Sequence, residues 1–190
     1  MCIRDSKETV TVTADEGIRP GTTAEGLAKL RPAFVKDGTI TAASASQISD
    51  GAAAVVLTTR ENAETKGLEI LATLGEYGQT AGPDTKLHSQ PSQATAAALQ
   101  KAGWEAGDLD FLEINEAFAS VVAQSIKDLD YPLDKTNIHG GGISLGHPIG
   151  ASGARLVVHA AHELKRRGSG KAAVSLCGGG GQGDALLLWR

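Results

Sequence analysis

Apolar positions along this chain switch between two spacings, and the switches mark its elements. Residues 22–34 (TTAEGLAKLRPAF) predict a short helix that opens at threonine, carries Leu27 and Leu30 and stops before Pro32. Residues 40–49 form a small-residue loop. The compact run 52–57, with two valines, predicts a buried strand, 60–66 a polar helical turn and 69–77 a further strand. Ser92 is a fitting N-cap for a helix over 93–102, which ends at Gly103 where left-handed backbone is wanted. The strand-like run 109–114 leads to Asn115, which can cap a helix whose apolar positions Phe118, Val121, Val122 and Ile126 follow the helical period. From about Ser152 a stripe of Leu156, Val157, Ala160, Ala161 and Leu164 ends in Lys165, Arg166, Arg167 and Gly168, a basic last turn with a glycine stop. Two final apolar runs, 172–177 and 185–189, flank GGGGQGD and predict antiparallel strands joined by a tight glycine turn. Helices alternating with buried strands predict an α/β fold.

Composition narrows the function. A chain of 190 residues is one domain, or one domain plus a piece of another. With 41% hydrophobic and 21% charged residues it lies outside the disordered regime. A formal charge of −4 argues against a nucleic-acid or anionic-membrane partner. The longest stretch without charge, 136–154, holds six glycines, two histidines and a proline and is no membrane span. Residues 1–6 (MCIRDS) have neither an apolar signal core nor an Arg-rich transit pattern. Residues 1–9, with Cys2, are therefore left unassigned, with a non-native origin as one reading, and a cytoplasmic location is expected. Cys2 and Cys177 lie at opposite ends of the chain with no metal-ligand spacing and no disulfide-framework density, so no metal is expected.

Glycine is the outlier, and it points to chemistry. Of 24 glycines, 13 lie from Gly140 onward. The loop 139–155 (HGGGISLGHPIGASGAR) runs straight into a helix, an arrangement that offers backbone N–H groups to an anion or oxyanion. His147 sits inside it between Gly146 and Pro148, either as a site residue or as a turn histidine bonded locally. Cys177 ends a strand before four glycines whose N–H groups favour a thiolate; the plain alternative is a small core hydrophobe. The Asn115 amide serves a site only if it turns away from the helix it can cap. Two motifs fail. Residues 178–183 satisfy G-x-G-x-x-G, but no helix and no acidic residue at the required distance follow. HGGG at 139–142 has no G-x-S-x-G elbow downstream, which removes a lipase-like hydrolase.

Together, NEAFA (115–119), GGGISLGHPIGASGAR (140–155) and CGGGGQGDA (177–185), in this order and spacing, resemble the C-terminal part of a thiolase. Residues 15–54, DEGIRPGTTAEGLAKLRPAF-VKDGTITAASASQISDGAAA, resemble the end of the thiolase loop domain and the last portion of the first core half. The resemblance implies a layered α/β/α core with a mixed sheet, divided as 10–38 end of loop domain, 39–66 end of the N-terminal core half and 67–190 C-terminal domain. It implies interconversion of a 3-ketoacyl-CoA plus CoA with acetyl-CoA plus a shortened acyl-CoA, in β-oxidation or its reverse. Cys177 would be the acid/base cysteine. His147 would activate the nucleophilic cysteine of the N-terminal half, which has no counterpart here, and with a water held by Asn115 stabilise the enolate oxygen. The Gly179 N–H would be half of a second oxyanion hole. Arg19 matches a position near the nucleotide end of CoA, and Ala45, Ser46 and Phe118 match positions near the pantetheine arm. Coenzyme A would be substrate, with no permanently bound cofactor, and the complete protein a homodimer or homotetramer. The tetrad NEAF argues against the sterol-carrier type. Ser44-Ala45-Ser46-Gln47 departs from the frequent Asn-Ala-Ser-Gly. A non-catalytic CoA- or partner-binding thiolase half is the competing reading, and a ketoacyl synthase is disfavoured because its pairing lacks the equivalent of Cys177.

Overall fold

The computed structural model describes residues 2–3 and 10–190. A two-residue pairing, β1 (Cys2–Ile3) with β2 (Val10–Thr11), opens the chain; the remainder of the 1–9 segment lies outside the described residues. Two short helices follow, α1 (Ala24–Ala28) and α2 (Arg60–Thr65). The body then runs β3 (Thr73–Ala81), α3 (Gln90–Ala102), β4 (Phe111–Ile114), α4 (Ala119–Asp128), the single turn α5 (Gly142–Leu145), α6 (Ser152–Arg167), β5 (Lys171–Gly178) and β6 (Gln182–Trp189).

The sheet order is β3-β6-β5-β4; β4 runs parallel to β5, and the other neighbours are antiparallel. It is a mixed sheet of the kind the α/β reading predicts, with helices on both faces. Alternation along β4 explains the layers. Leu112 and Ile114 face α3 and α4, packing with Ala94, Ala98, Leu99, Val121 and Val122. Phe111 points the other way, onto Leu156, Ala160 and Leu164 of α6. The predicted β5–β6 hairpin forms, Cys177 opposite Gly183 and Gly178 opposite Gln182. Gly103 and Gly168 end α3 and α6 in left-handed backbone (φ 66° and 82°), as their positions predict.

Four expectations are corrected. The run 52–57 forms no strand among the described residues and is largely exposed, Val56 at 93%. An apolar run becomes a strand only beside a partner edge, and among the described residues no strand pairs with it. The helix expected over 22–34 shrinks to α1, capped by Thr23, because no neighbouring surface buries Leu27 and Leu30. The strand expected over 69–77 is shifted to β3, where the register with β6 (Tyr77 opposite Leu186) sets its limits. Helix α3 starts ahead of Ser92, with Ser89 at the cap and Pro91 in the first turn; Ser92 Oγ instead bonds the Ser89 carbonyl and the Asp128 carboxylate, both at 2.8 Å.

Candidate active site

The site lies beyond the carboxyl ends of the parallel pair β4 and β5, where ligands of open α/β sheets bind. Asn115 leaves β4 with its N–H on the Ser175 carbonyl of β5 (2.9 Å), and it does not cap α4, whose N-cap is Phe118. Its fully buried side chain turns away from the helix, the condition set for a site role, and its Nδ2 lies 3.3 Å from His147 Nε2.

His147 is held at both ring nitrogens. Nδ1 is 2.6 Å from Ser152 Oγ, and that hydroxyl donates to the Pro148 carbonyl at 3.1 Å. Having given its one proton to Pro148, Ser152 accepts from Nδ1–H, so Nε2 carries the lone pair and accepts from the Asn115 amide; the network assigns this tautomer. Burial, and then the Arg155 charge, hold the ring below the usual histidine range. A neutral imidazole with its basic nitrogen toward Asn115 can take a proton from a nucleophile. The backbone carries the ring from its other side: the His147 N–H donates to the Gln47 carbonyl (3.1 Å), and Ile48 forms a bridge with His147. Gly146, at φ 94°, passes so close to the Ser49 side chain that no Cβ fits.

Cys177 is the penultimate residue of β5, two residues beyond the Ser175 that pairs with Ile114, and is a half-buried free thiol packed against the α3/α4 core. The thiolate expectation is corrected here. Burial pushes the thiol pKa up and outweighs the lowering by the Cys177 backbone, so the resting group is the protonated thiol. Gly179 is exposed, and a Cβ there meets nothing within 4 Å.

The three pantetheine candidates come together. Ala45 bridges Phe118, the Ser46 N–H donates to the Ala117 carbonyl at 3.1 Å, and the Ala119 N–H donates to the Ser44 carbonyl at 2.9 Å. Phe34 closes edge-on over Phe118, ring centres 6.1 Å apart. Arg19 stays exposed on the flank, two residues beyond Gly17, which packs against the Ser144 carbonyl.

Sequence reasoning does not single out Ser152, Glu113 or Glu116. Glu113, 1% exposed, precedes Asn115 by two residues, and its Oε1 lies 3.5 Å from His159 Nε2. Burial raises the Glu113 carboxyl to about 7 and lowers His159, so the contact favours a neutral pair over an ion pair. A glutamate inside the apolar run LDFLEI is the available signal. Among the described residues no group of three or more His, Cys, Asp or Glu is placed to hold a metal ion, and no helix is long and apolar enough to cross a membrane.

Comparison with known proteins places the chain in a family. Residues 68–190 match the family "Thiolase, C-terminal domain" and residues 1–61 match "Thiolase, N-terminal domain". A probable acetyl-CoA acetyltransferase of Mycolicibacterium smegmatis is 58% identical over 176 residues, 93% of this chain and 45% of the relative. Human mitochondrial 3-ketoacyl-CoA thiolase in complex with CoA superposes with a TM-score of 0.85 at 38% identity, covering 100% of this chain and 47% of that one. The dimeric peroxisomal thiolase of Saccharomyces cerevisiae superposes with a TM-score of 0.89 at 40% identity, covering 94% and 45%. This α/β chain, with its asparagine, histidine and cysteine at one end of the sheet, belongs to the thiolase family. It spans about half the length of the curated relatives it matches.

Proposed function

We propose that this chain is the C-terminal part of an acetyl-CoA acyltransferase that cleaves a 3-ketoacyl-CoA with CoA, or runs the reverse Claisen condensation. The observation that carries the reading is the Asn115–His147–Ser152 chain of contacts at the strand ends, with Cys177 on the adjacent strand. In cleavage, a thiolate from the N-terminal half attacks the 3-keto carbon after giving its proton to His147 Nε2. The C2–C3 bond then breaks, its electron pair passing to the acetyl-CoA enolate, and Cys177 returns a proton to C2. A thiol whose pKa burial has raised suits that donation. The CoA thiol then gives its proton to the Cys177 thiolate and attacks the thioester carbonyl, and the first cysteine leaves as a thiolate that recovers the proton held on His147. The Asn115 amide and the open Gly179 backbone supply fixed donors where oxygen gains charge.

Coenzyme A lies along the 44–46 and 117–119 ladder in this reading, with Arg19 toward the nucleotide, and the complete protein is a homodimer or homotetramer. The CoA complex among the similar structures supports CoA as a ligand, and the dimeric yeast thiolase supports a dimer. Co-expression with the N-terminal half of the mycobacterial relative tests the proposal. CoA-dependent cleavage of acetoacetyl-CoA, lost in Cys177→Ala, is expected, and the rate ratio to a longer 3-ketoacyl-CoA sets the substrate class. A well-folded but silent complex would favour the non-catalytic half.

A further inference from the structure

The geometry points to Glu116 as a positioning residue that sets the Asn115–His147 contact by clamping the glycine loop to the end of β4. Its carboxylate uses both oxygens across that gap. Oε1 accepts from Asn137 Nδ2 at 2.9 Å, and Oε2 accepts from the Ile143 N–H at 3.1 Å. Asn137, in left-handed backbone at φ 48°, is itself tied to β4: its Oδ1 accepts from the Ile114 N–H at 2.8 Å, and its Nδ2 donates to the Ile114 carbonyl at 2.9 Å. A Cβ at Gly141 would run into the Glu116 carboxylate, so the glycine there leaves room for the clamp.

Position explains the consequence. Asn115 and Glu116 are neighbours on one loop. Ile143 lies in α5, the single turn that Gly146 ends immediately before His147. Fixing Ile143 against Glu116 therefore fixes the loop that carries the imidazole relative to the loop that carries the amide. Both donors need an acceptor, so glutamine satisfies one and presents an N–H to the other, while aspartate is one methylene short. The inference rests on the thiolase reading only for the turnover it affects.

The test is the ring ¹⁵N signature of His147 in the 190-residue chain, assigned with His147→Asn, for Glu116→Ala, Glu116→Gln and Gly141→Ala. Glu116→Ala and Gly141→Ala are each expected to turn the single Nδ1–H tautomer into a mixture. Glu116→Gln should give a smaller change, and the double variant Glu116→Ala/Gly141→Ala no more than either single one. In the active assembly, kcat should fall about 10²-fold while KM for CoA stays within about two-fold, as a misplaced catalytic pair requires. Parent-like His147 resonances in Glu116→Ala overturn the inference. So does loss of the thermal transition in both Glu116→Ala and Glu116→Gln, which would make the carboxylate a residue of the fold. If the parent assembly proves inactive while the resonances still respond, the thiolase reading falls and the clamp stands.

Discussion

Ser152→Ala leaves His147 Nδ1–H without its 2.6 Å acceptor in a half-buried setting. A loss of about 1–2 kcal/mol in urea unfolding is expected, together with a mixed His147 tautomer by NMR. Titration adds a second prediction at this scale. Glu113 is raised from 4.5 to about 7, so the stability from its neutral form is fully present below about pH 4.5 and lost as pH rises through about 7. His147 and His159 are lowered from 6.5, so their share is present above 6.5 and lost as pH falls below it. Glu113→Gln should remove the alkaline loss, on the order of 3 kcal/mol between pH 5 and 8, and leave the acid limb; unfolding curves across that range decide it. At this scale Asn115, His147 and Cys177 stand out in the sequence as candidates through the order and spacing of the motifs that resemble a thiolase, while their local settings alone fit a cap, a turn histidine and a core cysteine equally well. Ser152 does not. Its sequence setting reads as an ordinary helix start, and only the fold turns its hydroxyl toward the imidazole. The protonation of Cys177 escapes the sequence for a related reason, since burial is a tertiary quantity that counting nearby glycines does not supply.

Among elements, β4 does the most positioning. Its alternation seats Phe111 under α6 and Leu112 and Ile114 under α3 and α4, and it delivers Asn115 to the site. Phe111→Ala should cost about 3–5 kcal/mol in equilibrium unfolding, because Leu156, Ala160 and Leu164 cannot collapse fully into the space left. A change under about 1 kcal/mol would mean that α6 does not rest on this ring. The helices with strong local signals, α3 and α6, and the β5–β6 hairpin are readable from periodicity, glycine stops and the glycine turn. The stretch 52–57 is not, because local apolarity cannot report whether a neighbouring strand is present. Asn115 looks like a cap because asparagine favours helix starts, but α4 begins only at Ala119 with Phe118 at its cap, and the Asn115 amide nitrogen meets His147 instead.

Across the whole molecule, several large apolar side chains outside the sheet are exposed. Ile48, Phe34, Val56, Leu57 and Ile149 are all well exposed. Apolar surface of this extent drives association. The 190-residue chain alone should therefore self-associate with rising concentration, and light scattering on a dilution series should show mass falling toward 19.5 kDa as it is diluted. A monomer at all concentrations would mean that these side chains find cover elsewhere. Sequence alone determined the α/β class, the principal helices, the terminal hairpin and the motif residues, because periodicity, capping and glycine placement act over a few neighbours. Tertiary structure decided the protonation of Cys177 and His147, the role of Ser152, the Glu116 clamp and the fate of 52–57. Each depends on burial or on a partner brought in by the fold, and desolvation and strand pairing exist only once those segments meet.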